Sequence, residues 1–151
     1  MQNKDYSLKT VIQKLRDEIV EAVNYADVEI AEEAEIRKFK FRRAIVILAA
    51  SDEPNIELKV GRIQTKFFRV SILLAIKGAS PQERLEGRLR EGIFDFVRDV
   101  TQKIKLTTLD GILDTSPVSQ VSNIEYLMEA GKRISGARLL WTGKRTEKIN
   151  F

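Results

Sequence analysis

The sequence predicts an α+β fold: an antiparallel or mixed β-sheet with two main helices packed on one face. Two long segments repeat apolar residues every three or four positions. Several shorter segments alternate apolar and polar residues, and turn-forming clusters separate them. The chain has 151 residues, 43% of them hydrophobic and 32% charged. That suits one domain, 1–151, with a single core.

The first helix is expected over residues 7–24. Ser7 stands at the N-cap, and Leu8, Val11, Ile12, Leu15, Ile19 and Val23 form one apolar stripe. Lys9, Lys14, Asp17, Glu18 and Glu21 occupy the opposite side. From Asp27 the period becomes two, with Val28 and Ile30 and then Phe39 and Phe41 facing one way. The β-branched run Ala44-Ile45-Val46-Ile47-Leu48 predicts a strand buried on both faces. Residues 51–55 form a turn cluster. Ile56, Leu58 and Val60 alternate again, and Gly61 marks a bulge or tight bend. Phe68, Val70, Ile72, Leu74 and Ile76 then share a strand face, opposite Arg69, Ser71 and Lys77. Short turns between these strands predict an antiparallel meander.

Ser80-Pro81-Gln82-Glu83 has the form of a capping box with proline at the first helical position. The second helix is expected to run from there through Leu85, Leu89, Ile93, Phe96, Val97, Val100 and Ile104, with Gly92 in its interior. Residues 107–111 form a turn in which Gly111 is free to take positive φ. Two closing strands are expected, about 118–128 and 135–145, joined by a hairpin loop at Glu129-Ala130-Gly131-Lys132-Arg133. The second places Ala137, Leu139 and Trp141 on one face. Trp141, Tyr126 and Phe151 are expected in the core or at an interface.

Residue types exclude much chemistry. The chain has no Cys and no His. That removes zinc fingers, thiol nucleophiles, Ser-His-Asp triads, His-ligated metals and disulfides. The Cys-free composition suits a reducing cytoplasm. The longest apolar stretch, Ala44 to Ala50, is far short of the ~20 residues of a membrane-spanning helix, so a soluble intracellular chain with no membrane partner is expected. The glycines match neither common phosphate-binding loop. Asp52 and Glu53 sit in a turn without an apolar pocket, and the acidic run from Glu29 lacks calcium-loop spacing. No catalytic residue, cofactor or metal site is therefore assigned, although a catalyst using only carboxylates, Lys or Ser stays open.

Charge is divided along the chain. Residues 1–35 hold four cations and nine anions, net −5; the remaining residues hold 22 and 13, net +9. The change is abrupt: Glu29, Glu32, Glu33 and Glu35 are followed by Arg37, Lys38, Lys40, Arg42 and Arg43. Such a division supports head-to-tail contact between copies of one chain. The same charges also suit solvated faces, where each is worth little. The basic stretch carries Phe39 and Phe41, but these continue into the core strand, which argues against base stacking. Non-specific DNA contact needs only positive charge and stays open.

The element order and the C-terminal half resemble the tail terminator (tail completion) proteins of long-tailed bacteriophages. The resemblance is carried by the N-terminal amphipathic helix, the strands and second helix, and the turn Leu109-Asp110-Gly111-Ile112-Leu113. A strand with Val118 and Val121, a charged hairpin and the closing run Gly136-Ala137-Arg138-Leu139-Leu140-Trp141 complete it. Asp110 stands where family members often carry glycine. The resemblance covers nearly the whole chain as a pattern, and head completion and connector proteins of the neck look similar at this level.

It implies a non-enzymatic virion protein, assembled in the host cytoplasm as a ring, usually a hexamer, at the head-proximal end of the tail. Its partners would be further copies of itself, the tail tube protein, the sheath of a contractile tail, a neck or connector protein, and DNA in the channel. The candidate contact residues are Glu29, Glu32, Glu33, Glu35, Arg37, Lys38, Lys40, Arg42 and Arg43. To these are added Glu129, Lys132 and Arg133 of the hairpin, and Lys144 and Arg145 of the basic C-terminal stretch, with Lys148. The alternative is a small, non-specific nucleic-acid-binding domain.

Overall fold

Two strands form the spine of the sheet in the computed structural model of the chain: Ile63–Lys77 and Lys132–Lys148, antiparallel along the whole of the former. The structure describes residues 8–24, 26–31, 43–48, 55–61, 63–77, 92–105, 107, 109, 111–113, 117–122, 125–129 and 132–148. For 55–60, 118, 125–129, 132–133 and 148 it describes the backbone alone. In chain order the elements are α1 (Leu8–Ala22), β1 (Asp27–Ala31), β2 (Arg43–Leu48), β3 (Asn55–Val60) and β4 (Ile63–Lys77). These are followed by α2 (Ile93–Lys105), β5 (Val118–Val121), β6 (Glu125–Glu129) and β7 (Lys132–Lys148).

Each spine strand carries two shorter strands end to end on its outer edge. β2 and β3 pair with the two halves of β4, and β6 and β5 pair with the two halves of β7. β1 extends the sheet beyond β2. The sheet is mixed, because β1 runs parallel to β2, from Asp27↔Ala44 to Ala31↔Leu48, while every other pairing is antiparallel. The expected meander is corrected here. Residues 32–42 separate the two strands, a length closer to a crossover than to a hairpin turn. Phe39, Phe41 and the turn at 51–54 lie outside the described residues.

The alternation within β4 sorts its side chains as the sequence predicts. Phe68, Val70, Ile72, Leu74 and Ile76 join Ile45 and Ile47 of β2 and Ala137, Leu139 and Trp141 of β7 on one face. The apolar stripes of α1 (Leu8, Val11, Ile12, Leu15, Ile19) and α2 (Ile93, Phe96, Val100, Ile104) pack on this face, which makes it the main core. β2 is buried on both sides, as its unbroken apolar run predicts. Ala44 and Val46 join Leu73, Ala75 and Ile134 in a second cluster on the opposite face.

Three boundaries differ from expectation. α2 begins at Ile93, and Gly92 precedes it, its carbonyl accepting from Phe96 N–H at 2.9 Å. Gly92 is thus a cap and not an interior residue; the capping box at 80–83 lies outside the described residues. The strand expected over 118–128 is two strands, because β5 and β6 meet different stretches of β7. The hairpin connection is also shorter. The ladder closes at Glu129↔Lys132, which leaves two residues between the strands in place of a five-residue loop. Gly61 follows β3 with φ 60°, in a two-residue link to β4, and Gly111 has φ 88°, both as expected.

Candidate interaction surfaces

Among the described residues the most closely knit ionic group lies on the helix-bearing face, at one end of the spine. Lys66 Nζ stands 3.1 Å from Glu147 Oε2, and Arg145 Nε donates to Glu147 Oε1 at 3.0 Å. Register explains the grouping, since Lys66 pairs with Arg145 and Gln64 with Glu147 across the β4–β7 ladder. Arg145 Nη1 also donates to the carbonyls of Gly111 at 3.3 Å and Ile112 at 2.8 Å. One guanidinium thereby ties the post-helix turn to the sheet. Burial pushes the Glu147 carboxyl up, but the hydrogen bond and charge of Lys66, with hydrogen bonds from Arg145 and Gln64, outweigh it. The net pKa is below the ordinary glutamate value. A carboxylate so saturated is poorly placed to accept or donate a proton in a reaction.

A second tie joins α1 to the same turn. Thr107 Oγ1 donates to Glu18 Oε1 at 2.6 Å and accepts from Leu109 N–H at 3.1 Å. The backbone of Leu109 is held there at φ 51°, in the left-handed region, with the side chain buried in the core.

Two further areas face solvent. On the face of the sheet away from the helices, Arg69, Arg138 and Lys144 are exposed. Alternation and register set them on one side: Phe67 pairs with Lys144, Arg69 with Thr142, Ser71 with Leu140 and Leu73 with Arg138. Leu140, 40% exposed, stands within this basic area beside Gln120 of β5. The Arg69 guanidinium lies 5.4 Å from the centroid of the Phe67 ring. Asp27 and Glu29 of β1, beside Ala44 and Val46 of β2, stand on this same face nearer the opposite border of the sheet.

The other area is a groove of about 370 Å³ between α1 and β1, lined by Gln13, Arg16, Asp17, Val28, Glu29 and Ile30. Val28 and Ile30 pack against the core and form its apolar floor. The side chain of Asp17 is exposed at its rim (74%), whereas alternation turns the exposed Glu29 towards the helix-free face, beside Val46. Arg16 is partly neutralised by Asp17, at 3.6 Å.

The residues expected from sequence divide as follows. Glu29 of β1 and Lys144 of β7 are both exposed on the helix-free face. Arg43 opens β2, half-buried and opposite Ile76. Arg145 is engaged within the chain. Glu129, Lys132 and Arg133 flank the tight β6–β7 connection, within the ladder. Glu32, Glu33, Glu35, Arg37, Lys38, Lys40 and Arg42 lie outside the described residues. Arg69 and Arg138 were absent from the expectation. Their solvent-facing alternation is legible, but nothing local shows that strands some seventy residues apart combine into one patch.

The fold defines an α+β domain built on a mixed sheet. Among the described residues no cluster of Asp and Glu could hold a metal ion, and no helix is long and apolar enough to cross a membrane. Compared with known protein families and with curated proteins, the chain matches none.

Proposed function

We propose that this chain is a structural assembly protein of a phage tail, a terminator that closes the head-proximal end of the tail tube as a ring. The observation that carries the reading is the division of charge along the chain, net −5 over residues 1–35 and +9 over the rest. Heterologous contacts repeated about an axis need two different, complementary patches on each subunit. The resemblance of the element order to tail terminators supplies the biological setting. In that setting the ring, a hexamer, halts tube polymerisation and presents a joining surface to the neck, and the protein acts in the virion by shape and contact.

The test is assembly. Size-exclusion chromatography with light scattering, at low and high salt and over a range of concentrations, is expected to show a salt-sensitive oligomer that appears as a ring in negative stain. Added to polymerising tail tube protein, the chain is expected to shorten the tubes. A monomer at every concentration, indifferent to tube protein, overturns the reading. The basic face also favours a second reading, a non-specific nucleic-acid binder. Tight DNA binding that weakens steeply with salt, without ring formation, would establish that instead.

A further inference from the structure

We infer that the β5 border of the sheet pairs antiparallel with the β1 border of a second copy, so that subunits join edge to edge and the sheet runs on from one chain into the next. The inference rests on the assembly reading and assigns its contact.

β1 and β5 are the two ends of the strand order, and no further strand lies beyond either among the described residues. Such edges carry backbone groups that template another strand. Ser122 N–H donates to the Arg138 carbonyl at 2.8 Å. Ser122 and Gln120 therefore turn their backbone groups towards β7, and Ser119 and Val121 turn theirs outward. Carried through the unbroken registers of β7, β4 and β2, the same alternation turns the backbone groups of Val28 and Ile30 outward from β1. Direction agrees as well. The parallel β1–β2 pair leaves β1 antiparallel to β5, whereas an all-antiparallel order would make the two borders run the same way. The register that pairs every residue of β5 sets Ser119 opposite Ile30, Gln120 opposite Glu29 and Val121 opposite Val28, with the helix-bearing faces continuous.

Side chains fit the same seam. Val121, 46% exposed, faces the helix-bearing side, as do Val28 and Ile30 on the floor of the α1–β1 groove. Phe94, 57% exposed, projects from the side of α2 opposite Lys103, whose ammonium lies 3.9 Å from Glu21 of α1. Phe94 is therefore on the flank turned away from α1, towards β5. The exposed Val20 shares with Arg16 the flank of α1 at the β1 border. The seam brings Val121 and Phe94 of one copy towards Val20, Val28 and Ile30 of the next, which removes apolar surface from water. On the helix-free face Gln120 meets Glu29 without opposing like charges. Two β1 borders paired about Glu29 would set that carboxylate against its own copy, which disfavours the symmetric alternative. Each subunit thus offers two different edges, the condition for a ring or filament.

The chain has no cysteine, which makes cross-linking a clean test. In the inferred register Gln120 and Glu29 form a non-hydrogen-bonded pair, with Cα atoms ~4.5 Å apart and within disulfide reach. Glu29→Cys and Gln120→Cys proteins, each confirmed as folded by a thermal melt, are mixed under mild oxidant. The mixture is expected to give several-fold more disulfide-linked dimer than either protein alone, and a chain carrying both substitutions is expected to give a ladder of linked subunits. Independently, Gln120→Lys is expected to lower the half-assembly concentration at low salt and Gln120→Glu to raise it, each by up to about fivefold. Wild-type assembly without cross-linking in the mixture overturns the inference and leaves the ring reading standing. Equal cross-linking in either variant alone assigns a symmetric contact and overturns the inference. Cross-linked assemblies that grow as open filaments and ignore tail tube protein support the inference and overturn the terminator reading. A monomeric wild type overturns both.

Discussion

Gly143 is the position at which one added methyl group should be felt most. It lies in β7 opposite Phe68, on the core side of the sheet. A Cβ there would come within 2.7 Å and 3.1 Å of the two Leu113 methyl carbons and 2.8 Å of Trp141 Cη2. Trp141 is wholly buried and Leu113 nearly so, so neither side chain can move without repacking the core. The backbone of Gly143 is not in the left-handed region. Alanine would therefore gain ~0.4–1 kcal/mol by restricting the unfolded chain. Overpacking costs about 1–3 kcal/mol. The steric cost wins, and Gly143→Ala is expected to destabilise by about 1–2 kcal/mol, lowering Tm by roughly 2–8 °C for a chain of this length.

Urea and thermal unfolding followed by fluorescence of the single tryptophan measure this directly. A double-mutant cycle isolates the cause. Leu113→Ala alone opens a cavity and costs about 2–5 kcal/mol. Combined with Gly143→Ala, the new methyl enters the vacated space, so the double variant should be more stable than the sum of the singles by at least ~1 kcal/mol. A Gly143→Ala protein as stable as wild type, or strict additivity in the cycle, would refute the close-packing argument.

The other expectations are more local. Glu147 has a folded pKa below its unfolded value, so its contribution to stability is complete above the unfolded pKa of about 4.3 and is lost as pH falls through the folded value. Glu147→Gln should flatten that acidic limb of stability against pH and leave its neutral-to-alkaline limb unchanged in slope. Arg145→Lys keeps the charge but loses the fork that reaches Glu147 and the Gly111 and Ile112 carbonyls, at a cost of about 1–3 kcal/mol in urea unfolding. Thr107→Val removes the donor to Glu18 and the acceptor for Leu109 N–H; a loss of about 1–2 kcal/mol is expected, with faster amide exchange at Leu109. Ser119 Oγ is buried without a hydrogen-bond partner, so Ser119→Ala should cost less than about 0.5 kcal/mol or stabilise.

Much of the architecture is written in local pattern. The stripe of α1, the two-sided burial of β2, the alternation of β4 and β7 and the left-handed glycines at 61 and 111 all follow from spacing and steric preference. These depend on neighbours within a turn or a strand. The parallel β1–β2 pairing does not, because strand direction depends on where residues 32–42 carry the chain. The division of 118–129 into β5 and β6 is equally hidden, since both lie along one partner strand whose pairing is set in three dimensions.

The contact surfaces divide along the same line. Charge segregation is a property of the sequence, net −5 before residue 36 and +9 after it. It points to self-association without saying which cations act together. Arg145, expected as a contact residue, is drawn inward by the carbonyls of a turn more than thirty residues away. Arg69 and Arg138 come to share one face because β4 and β7 pair in a register that places Arg69 opposite Thr142 and Leu73 opposite Arg138. The sequence by itself determined the periods, the core-forming residues, the lack of thiol and imidazole chemistry, and the sign of charge in each region. Tertiary structure decided which charges are consumed internally and which gather into a surface. Electrostatic contacts form between groups close in space, and only the long-range strand pairing brings those groups together.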